Sequence, residues 1–359
     1  MGGCERESVK ERYSALDRLL HRLALGSHAV RSLSYDINGI VSPPIPEDFV
    51  TRKHVFVSGL ARSGTSILLR CLFGSQQFAT LTYRHMPFVL APNLWTTASR
   101  KFQIKGVAGE RAHGDGLQVD FDTPEAFEEI FWLTFSLKPY VTADGLYPQD
   151  LDDISHDTLE KFVRFVSNVV SCNDQSIEAG RYLSKNNNNV LRLSALRAAF
   201  PSASLLVPFR KPLAHARSLL LQQERFSEIQ HEDPYVLQYM NWLGHHEFGL
   251  NQKPFCFVGL ECFKKADMYH IDYWLAYWIT VYQHLLKKSP EGTIFVDYDL
   301  LCRDPENALR SLAGKIDLDF AHLNPAVFTN KQRSCSVDHD EALLAEAELV
   351  HQELVKLSG

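Results

Sequence analysis

Gly59-Leu60-Ala61-Arg62-Ser63-Gly64-Thr65-Ser66 stands between the apolar run Val55-Phe56-Val57 and the helix-forming stretch Ile67-Leu68-Leu69-Arg70-Cys71-Leu72. A buried strand that breaks at a glycine-rich turn and re-forms as a helix leaves several backbone N–H groups without partners. These converge at the positive end of the helix dipole. The octet is therefore expected to cradle an anion such as phosphate or sulfate, with Arg62, Ser63, Gly64, Thr65 and Ser66 around it.

The octet is similar to a nucleotide-binding Walker loop but departs from it at the decisive positions. A Walker loop follows its second glycine with a lysine for the outer phosphates and a hydroxyl residue for magnesium. Here Thr65 occupies the lysine slot, and the loop's cation is Arg62, two residues before Gly64. This arrangement resembles the 5′-phosphosulfate loop of sulfotransferases. That family moves a sulfuryl group from 3′-phosphoadenosine 5′-phosphosulfate (PAPS) to an acceptor and releases the bisphosphate PAP.

Two further stretches extend the resemblance. Ser204-Leu205-Leu206-Val207-Pro208-Phe209 reads as a buried strand running into Arg210-Lys211-Pro212, with Leu213 to Ser218 opening a helix. In the family a strand-terminal arginine and a serine eight residues later hold the 3′-phosphate, a role the resemblance gives to Arg210 and Ser218. Arginine's planar fork of donors suits phosphate bidentately, and a serine hydroxyl adds a short bond. Tyr182-Leu183-Ser184-Lys185 is similar to the family's Lys-Asp/Asn-Pro segment, whose lysine helps to stabilise the departing oxygen in tyrosylprotein-type members. Lys185 inherits that role by position. Asn186-Asn187-Asn188-Asn189 stand where the proline is usual, so a different local backbone is expected there.

Sulfuryl transfer needs a group to remove the acceptor proton. In tyrosylprotein-type relatives a Glu lies shortly after the first helix, but the corresponding stretch Thr80 to Pro87 has no carboxylate. His85 is the candidate base there, since imidazole titrates near neutrality, and His113 in the glycine-flanked Arg111 to Gly116 segment is the reserve. Lys331 and Arg333 lie where relatives place a basic loop over the nucleotide. The catalytic set expected from sequence is thus Lys185, His85, Arg62 and His113. No metal is expected, because sulfuryl transfer, unlike phosphoryl transfer, does not need one to screen a highly charged terminal phosphate.

Composition frames these motifs. With 359 residues and a formal charge of −6, the chain is not a general nucleic-acid binder. No apolar run approaches the roughly 20 residues that span a bilayer. Glu5, Lys10, Glu11 and Arg12 replace any apolar signal core. Arg6 occupies the position where myristoylation of a leading glycine wants Ser or Thr. The seven cysteines form no Cys-x-x-Cys pair. A cytoplasmic enzyme with free thiols is the expectation.

Strands alternating with helices predict an α/β chain, a three-layer P-loop-like fold whose central parallel sheet is flanked by helices. The segments divide it into an N-terminal helical extension (1–50), a sulfotransferase domain (51–335) and a C-terminal helix (336–359). Leu16, Leu19, Leu20, Leu23 and Leu25 predict an amphipathic helix over Ser8–Leu25, and Thr123-Pro124-Glu125 has the chemistry of a helix start. The function implied by the resemblance is PAPS-dependent transfer to a hydroxyl, less readily an amine, of a small-molecule, glycan or peptide acceptor. Two alternatives stay open: a P-loop kinase or NTPase, and a PAPS- or PAP-binding protein without catalysis.

Overall fold

The computed structural model describes residues 15–99, 109–110, 118–119, 123–173, 180–257, 265–329 and 337–358. Helices α1 (Ala15–Gly26) and α2 (His28–Val41) precede strand β1 (Val55–Val57), which hands the chain to α3 (Thr65–Phe73). Then come β2 (Phe78–Ala79), α4 (Pro92–Ser99), a small antiparallel pair β3 (Gly109–Glu110) and β4 (Gln118–Val119), α5 (Glu129–Phe135) and α6 (His156–Cys172). Strand β5 (Arg181–Lys185), α7 (Leu193–Ala199) and β6 (Ser204–Phe209) lead to the long α8 (Pro212–Glu232) and to α9 (Pro234–Leu243). The chain closes with α10 (Ile271–Lys288), β7 (Ile294–Asp297), α11 (Tyr298–Arg303), α12 (Pro305–Lys315) and α13 (Glu341–Ser358).

The main sheet runs β2-β5-β1-β6-β7 with every pairing parallel. Side chains alternate across it, and both faces are dry. Phe56, Tyr182, Leu205, Val207 and Phe295 enter a large core with α5, α6, α7, α8, α10 and α13. Val55, Val57, Leu183, Leu206 and Val296 enter a second core with α3, α11 and α12. Apolar residues on both faces are what a parallel sheet covered by crossover helices requires. The three-layer α/β architecture is thus present, with β1, the strand before the Gly59–Ser66 loop, at its centre. The carboxyl ends of β1, β5 and β6 share one rim, the place where open parallel sheets bind ligands.

Several local expectations are corrected. Thr123-Pro124-Glu125 does not open a helix: Thr82 and Pro124 form an antiparallel bridge, and the Glu125 N–H donates to the Leu81 carbonyl at 3.0 Å. Strand-like pairing with the 81–83 segment claims this backbone, and the helix begins only at Glu129. Within α1, the described part of the Ser8–Leu25 prediction, the leucine stripe faces outward, Leu16 being 73% exposed. The helix docks instead through the face carrying Arg18, His21 and Leu25. Arg18 pairs with Asp233 at 3.0 Å and stacks on Tyr235, His21 meets Tyr239 edge-on, and Leu25 is buried. The capping pair Ser8 and Glu11 lies outside the described residues.

The asparagine tract is buried rather than solvated. Residues 187–191 form a 3-10 turn, and each asparagine amide donates inward. Asn186 bonds the Glu129 carboxylate at 2.7 Å, Asn187 bonds Glu247 at 2.9 Å, Asn188 bonds the Gly244 carbonyl at 2.9 Å, and Asn189 bonds Glu128 at 2.7 Å. Beneath the turn Arg192 forms a two-pronged pair with Glu129 at 2.8 and 3.1 Å. Its guanidinium lies between the Trp132 and Tyr140 rings, 4.9 and 4.8 Å from their centroids. Gln149 accepts from its remaining Nε, and Tyr140 donates to the same carboxylate. All these polar groups are buried, so removing one partner strands the others. Arg192→Ala is expected to lower unfolding free energy by about 3–5 kcal/mol, the usual result of leaving a buried charge unpaired. Urea denaturation checks this, and a loss below about 1 kcal/mol would mean that the pair contributes little.

Candidate active site

Three loops meet at the rim of the sheet, and the first is Gly59–Ser66. Its turn needs two left-handed residues, Arg62 with φ 69° and Gly64 with φ 96°. A Cβ on Gly64 would lie 2.1 Å from Cδ2 of Tyr298, so glycine is required there by sterics as well as by φ. The backbone is held from behind. The Ser63 hydroxyl donates to the Leu60 carbonyl at 2.8 Å, and Arg210 donates to the Arg62 carbonyl at 3.1 Å. Beyond the turn, α3 starts at Thr65 with Gly64 as its cap residue, and its first-turn N–H groups have no intrahelical acceptor.

Around this loop the structure gathers most of the residues singled out from sequence. Arg62 Nε donates to Ser218 Oγ at 3.2 Å, so Arg62, Arg210 and Ser218 form one cluster although 156 positions separate the first from the last. The Arg210 guanidinium lies 5.2 Å from the centroid of the Tyr298 ring. Its Nε is buried and finds no hydrogen-bond partner among the described residues. An unsatisfied guanidinium nitrogen beside a loop of helix-N-terminal amides suits an anionic ligand. Tyr298, which packs on both Gly64 and Arg210, went unmarked in sequence. The signal was its position at the end of the β7 strand, next to the β6 junction that carries Arg210.

A cleft of about 470 Å³ opens beside the loop, lined on one side by Arg62, Thr65, Ser66, Lys185 and Asn187. Asn187 ties the two loops together: Thr65 Oγ1 donates to its Oδ1 at 3.4 Å while its Nδ2 donates to Glu247. The far side carries Glu125, His245, Glu247, Met240 and Phe248. Burial pushes the Glu247 carboxyl up, but His245, Lys185 and the Asn187 amide outweigh it and hold the group below the usual carboxylate range. Glu247 is therefore ionised at neutral pH. Glu125 accepts the Ala126 N–H at 2.9 Å and the Tyr83 hydroxyl at 3.4 Å.

His85 is not brought to this cleft. It is 4% exposed, with Nδ1 accepting the Thr82 N–H at 2.9 Å and Nε2 facing Cys172 Sγ at 3.5 Å. Burial lowers it to about 4, so the ring is a neutral structural cap of the 83–85 turn. The carboxylate missing from the 80–87 segment comes instead from Glu125, which the chain pairs onto Leu81–Tyr83. Sequence reasoning missed it because the pairing joins residues some 42 positions apart. His113, Lys331 and Arg333 lie outside the described residues. Among the described residues no group of three His, Cys, Asp or Glu side chains could hold a metal ion, and no helix is long and apolar enough to cross a membrane.

No family model matches the chain, and no curated protein matches it. Among solved structures it is similar to a sulfotransferase from Mycobacterium avium, at 14% identity and a TM-score of 0.48, over 96% of this chain and 86% of that one. It is also similar to a sulfotransferase from Mycobacterium tuberculosis, at 15% identity and a TM-score of 0.46, over 94% and 85% of the two chains. A third likeness is to the sulfotransferase domain of the Synechococcus olefin synthase, at 15% identity and a TM-score of 0.36, over 87% and 98%.

Buried neutral histidines give the fold a defined acid response. Burial is the main cause that holds His54, His85 and His246 at about 4 and His215 at about 3. Below about pH 6.5 the unfolded chain binds protons that the native state refuses, so stability rises with pH across this window and falls on acidification. Urea midpoints measured from pH 7 down to pH 4.5 are expected to drop by about 1.4 kcal/mol per pH unit for each such histidine. A flat profile would show that these rings are protonated in the native protein.

Proposed function

We propose that the protein is a PAPS-dependent sulfotransferase that moves a sulfuryl group to an acceptor hydroxyl and leaves PAP. The observation that carries this reading is the Arg62–Ser218–Arg210 cluster beside a glycine-bounded loop with no lysine after Gly64. Such a site has separate places for two anionic groups, and it lacks the lysine of a kinase loop. The proposal assigns the 5′-phosphosulfate to the loop, with Arg62, Ser63, Gly64, Thr65 and Ser66 around it, and the 3′-phosphate to Arg210 and Ser218. In the domain scheme proposed with it, residues 51–335 form the transferase unit between the N-terminal helices and the C-terminal helix.

The chemistry then needs little beyond positioning and charge. The acceptor oxygen attacks sulfur, the bond from sulfur to the bridging phosphate oxygen breaks, and charge grows on that oxygen as PAP leaves. Lys185, at the end of β5 on the cleft wall, is proposed to stabilise that charge. The acceptor proton goes to Glu125, which we propose as the base in place of His85. Glu125 is a cleft-lining carboxylate fixed by the Ala126 N–H, while both His85 ring nitrogens face protein groups outside the cleft. Met240 and Phe248 supply an apolar wall for the carbon skeleton of an organic acceptor.

Two measurements test the assignment. Arg210→Ala or Ser218→Ala is expected to weaken PAP binding by about 1.5–3 kcal/mol and to leave adenosine 5′-phosphate binding nearly unchanged, because only the 3′-phosphate feels the lost contact. Equal losses for both nucleotides would refute it. For catalysis, transfer of labelled sulfate from PAPS to a panel of alcohols is expected to fall roughly 10²–10⁴-fold in Glu125→Gln, with PAP affinity retained. His85→Ala is expected to transfer at near the wild-type rate once corrected for folded fraction. The reverse pattern would return the base to His85.

A further inference from the structure

A loop that turns its amides toward an anion must turn its carbonyls into the protein, where each needs a donor. Leu60 and Arg62 have theirs in Ser63 and Arg210. The carbonyl between them, that of Ala61, is met by His215 Nε2 at 2.8 Å. His215 lies in the second turn of α8, fully buried, and its Nδ1 is 3.1 Å from Trp278 Nε1 on α10. An indole nitrogen only donates, so His215 Nδ1 carries no proton and Nε2 must carry one. Trp278 thereby fixes the tautomer that donates to the Ala61 carbonyl. The next residue is Arg62, whose left-handed φ of 69° is uncommon for a side chain of its size.

We propose that His215, oriented by Trp278, is the positioning residue that locks the Ala61 peptide and so sets the anion-binding conformation of the Gly59–Ser66 loop. It touches no ligand and acts through the backbone. The aromatic stripe of α10 thus has a second task besides packing. The Tyr282 hydroxyl from the same helix donates to the carbonyl of Pro208, a residue that also contacts the Gly59 position. The inference rests on the reading of this loop as the donor site for its functional consequence, while the link from His215 to the loop can be measured without any nucleotide.

The test is hydrogen exchange of the peptide covering residues 58–66 in the ligand-free full chain, with PAP titrated calorimetrically into the same preparations. His215→Leu keeps the bulk and removes both ring nitrogens. It is expected to speed exchange in 58–66 about tenfold, leave α12 unchanged and weaken PAP about tenfold, the scale of one lost buried hydrogen bond. His215→Gln, whose amide nitrogen can reach the Nε2 position, is expected to restore both. Unchanged exchange in 58–66 would overturn the proposal whatever happens to PAP. If the wild-type protein binds no PAP, the donor assignment fails, and the exchange result alone decides the role of His215. Should His215→Leu not fold, Trp278→Phe frees the ring to change tautomer, and the same local rise in exchange is expected. Its absence would equally overturn the proposal.

Discussion

The buried pair between Arg192 and Glu129 is the constraint on which the rest of the site depends. A guanidinium and a carboxylate without solvent are tolerated only when every remaining donor and acceptor is met. Here Trp132, Tyr140, Gln149, Asn186 and Asn189 complete the set. Because Asn186 and Asn189 take part, the turn after β5 has one backbone path, which carries Asn187 to Thr65 and Glu247. Lys185 immediately precedes that turn. The position of a cleft-facing lysine is thus set by a salt bridge several residues deeper in the core.

The loop after β1 is governed by the same rule applied to the backbone. Leu60, Ala61 and Arg62 present their carbonyls to Ser63, His215 and Arg210, which come from the loop, from α8 and from the end of β6. Tyr298 closes the far side against Gly64 and Arg210. Two sheet-to-helix junctions remote in sequence are therefore one unit in space. An anion bound at one is next to the groups that would bind at the other.

The parts legible in the sequence were those whose signal is local. A strand, a glycine turn and a helix fall within about twenty residues at Val55–Phe73, and a strand ending in arginine before a proline-started helix does so again at Ser204–Ser218. The parts missed were set by long-range pairing. Thr123-Pro124-Glu125 has helix-start chemistry, but the Leu81–Tyr83 segment captures its backbone and turns Glu125 into the cleft's carboxylate. The asparagine tract has the composition of a solvated loop, and only Glu128, Glu129 and Glu247 from other segments make it a buried turn. In α1 the leucine period is present, yet Asp233, Tyr235 and Tyr239 on and beside α9 select a different face. His85 was chosen for its intrinsic chemistry, whereas its burial could be known only once α6 had brought Cys172 against it.

The central claim is that a loop with Arg62 inside it, and no lysine after Gly64, reads a sulfated or phosphorylated adenosine without a metal. Calorimetric titration of PAP and of ATP into the wild-type protein, each with and without magnesium, tests it most directly. Tight PAP binding that ignores magnesium, with ATP at least a hundredfold weaker, is the predicted result, since about 2.7 kcal/mol of added affinity is what a well-held 3′-phosphate provides. Binding of ATP that exceeds that of PAP and requires magnesium would contradict the account and place the protein among the phosphoryl-transfer enzymes.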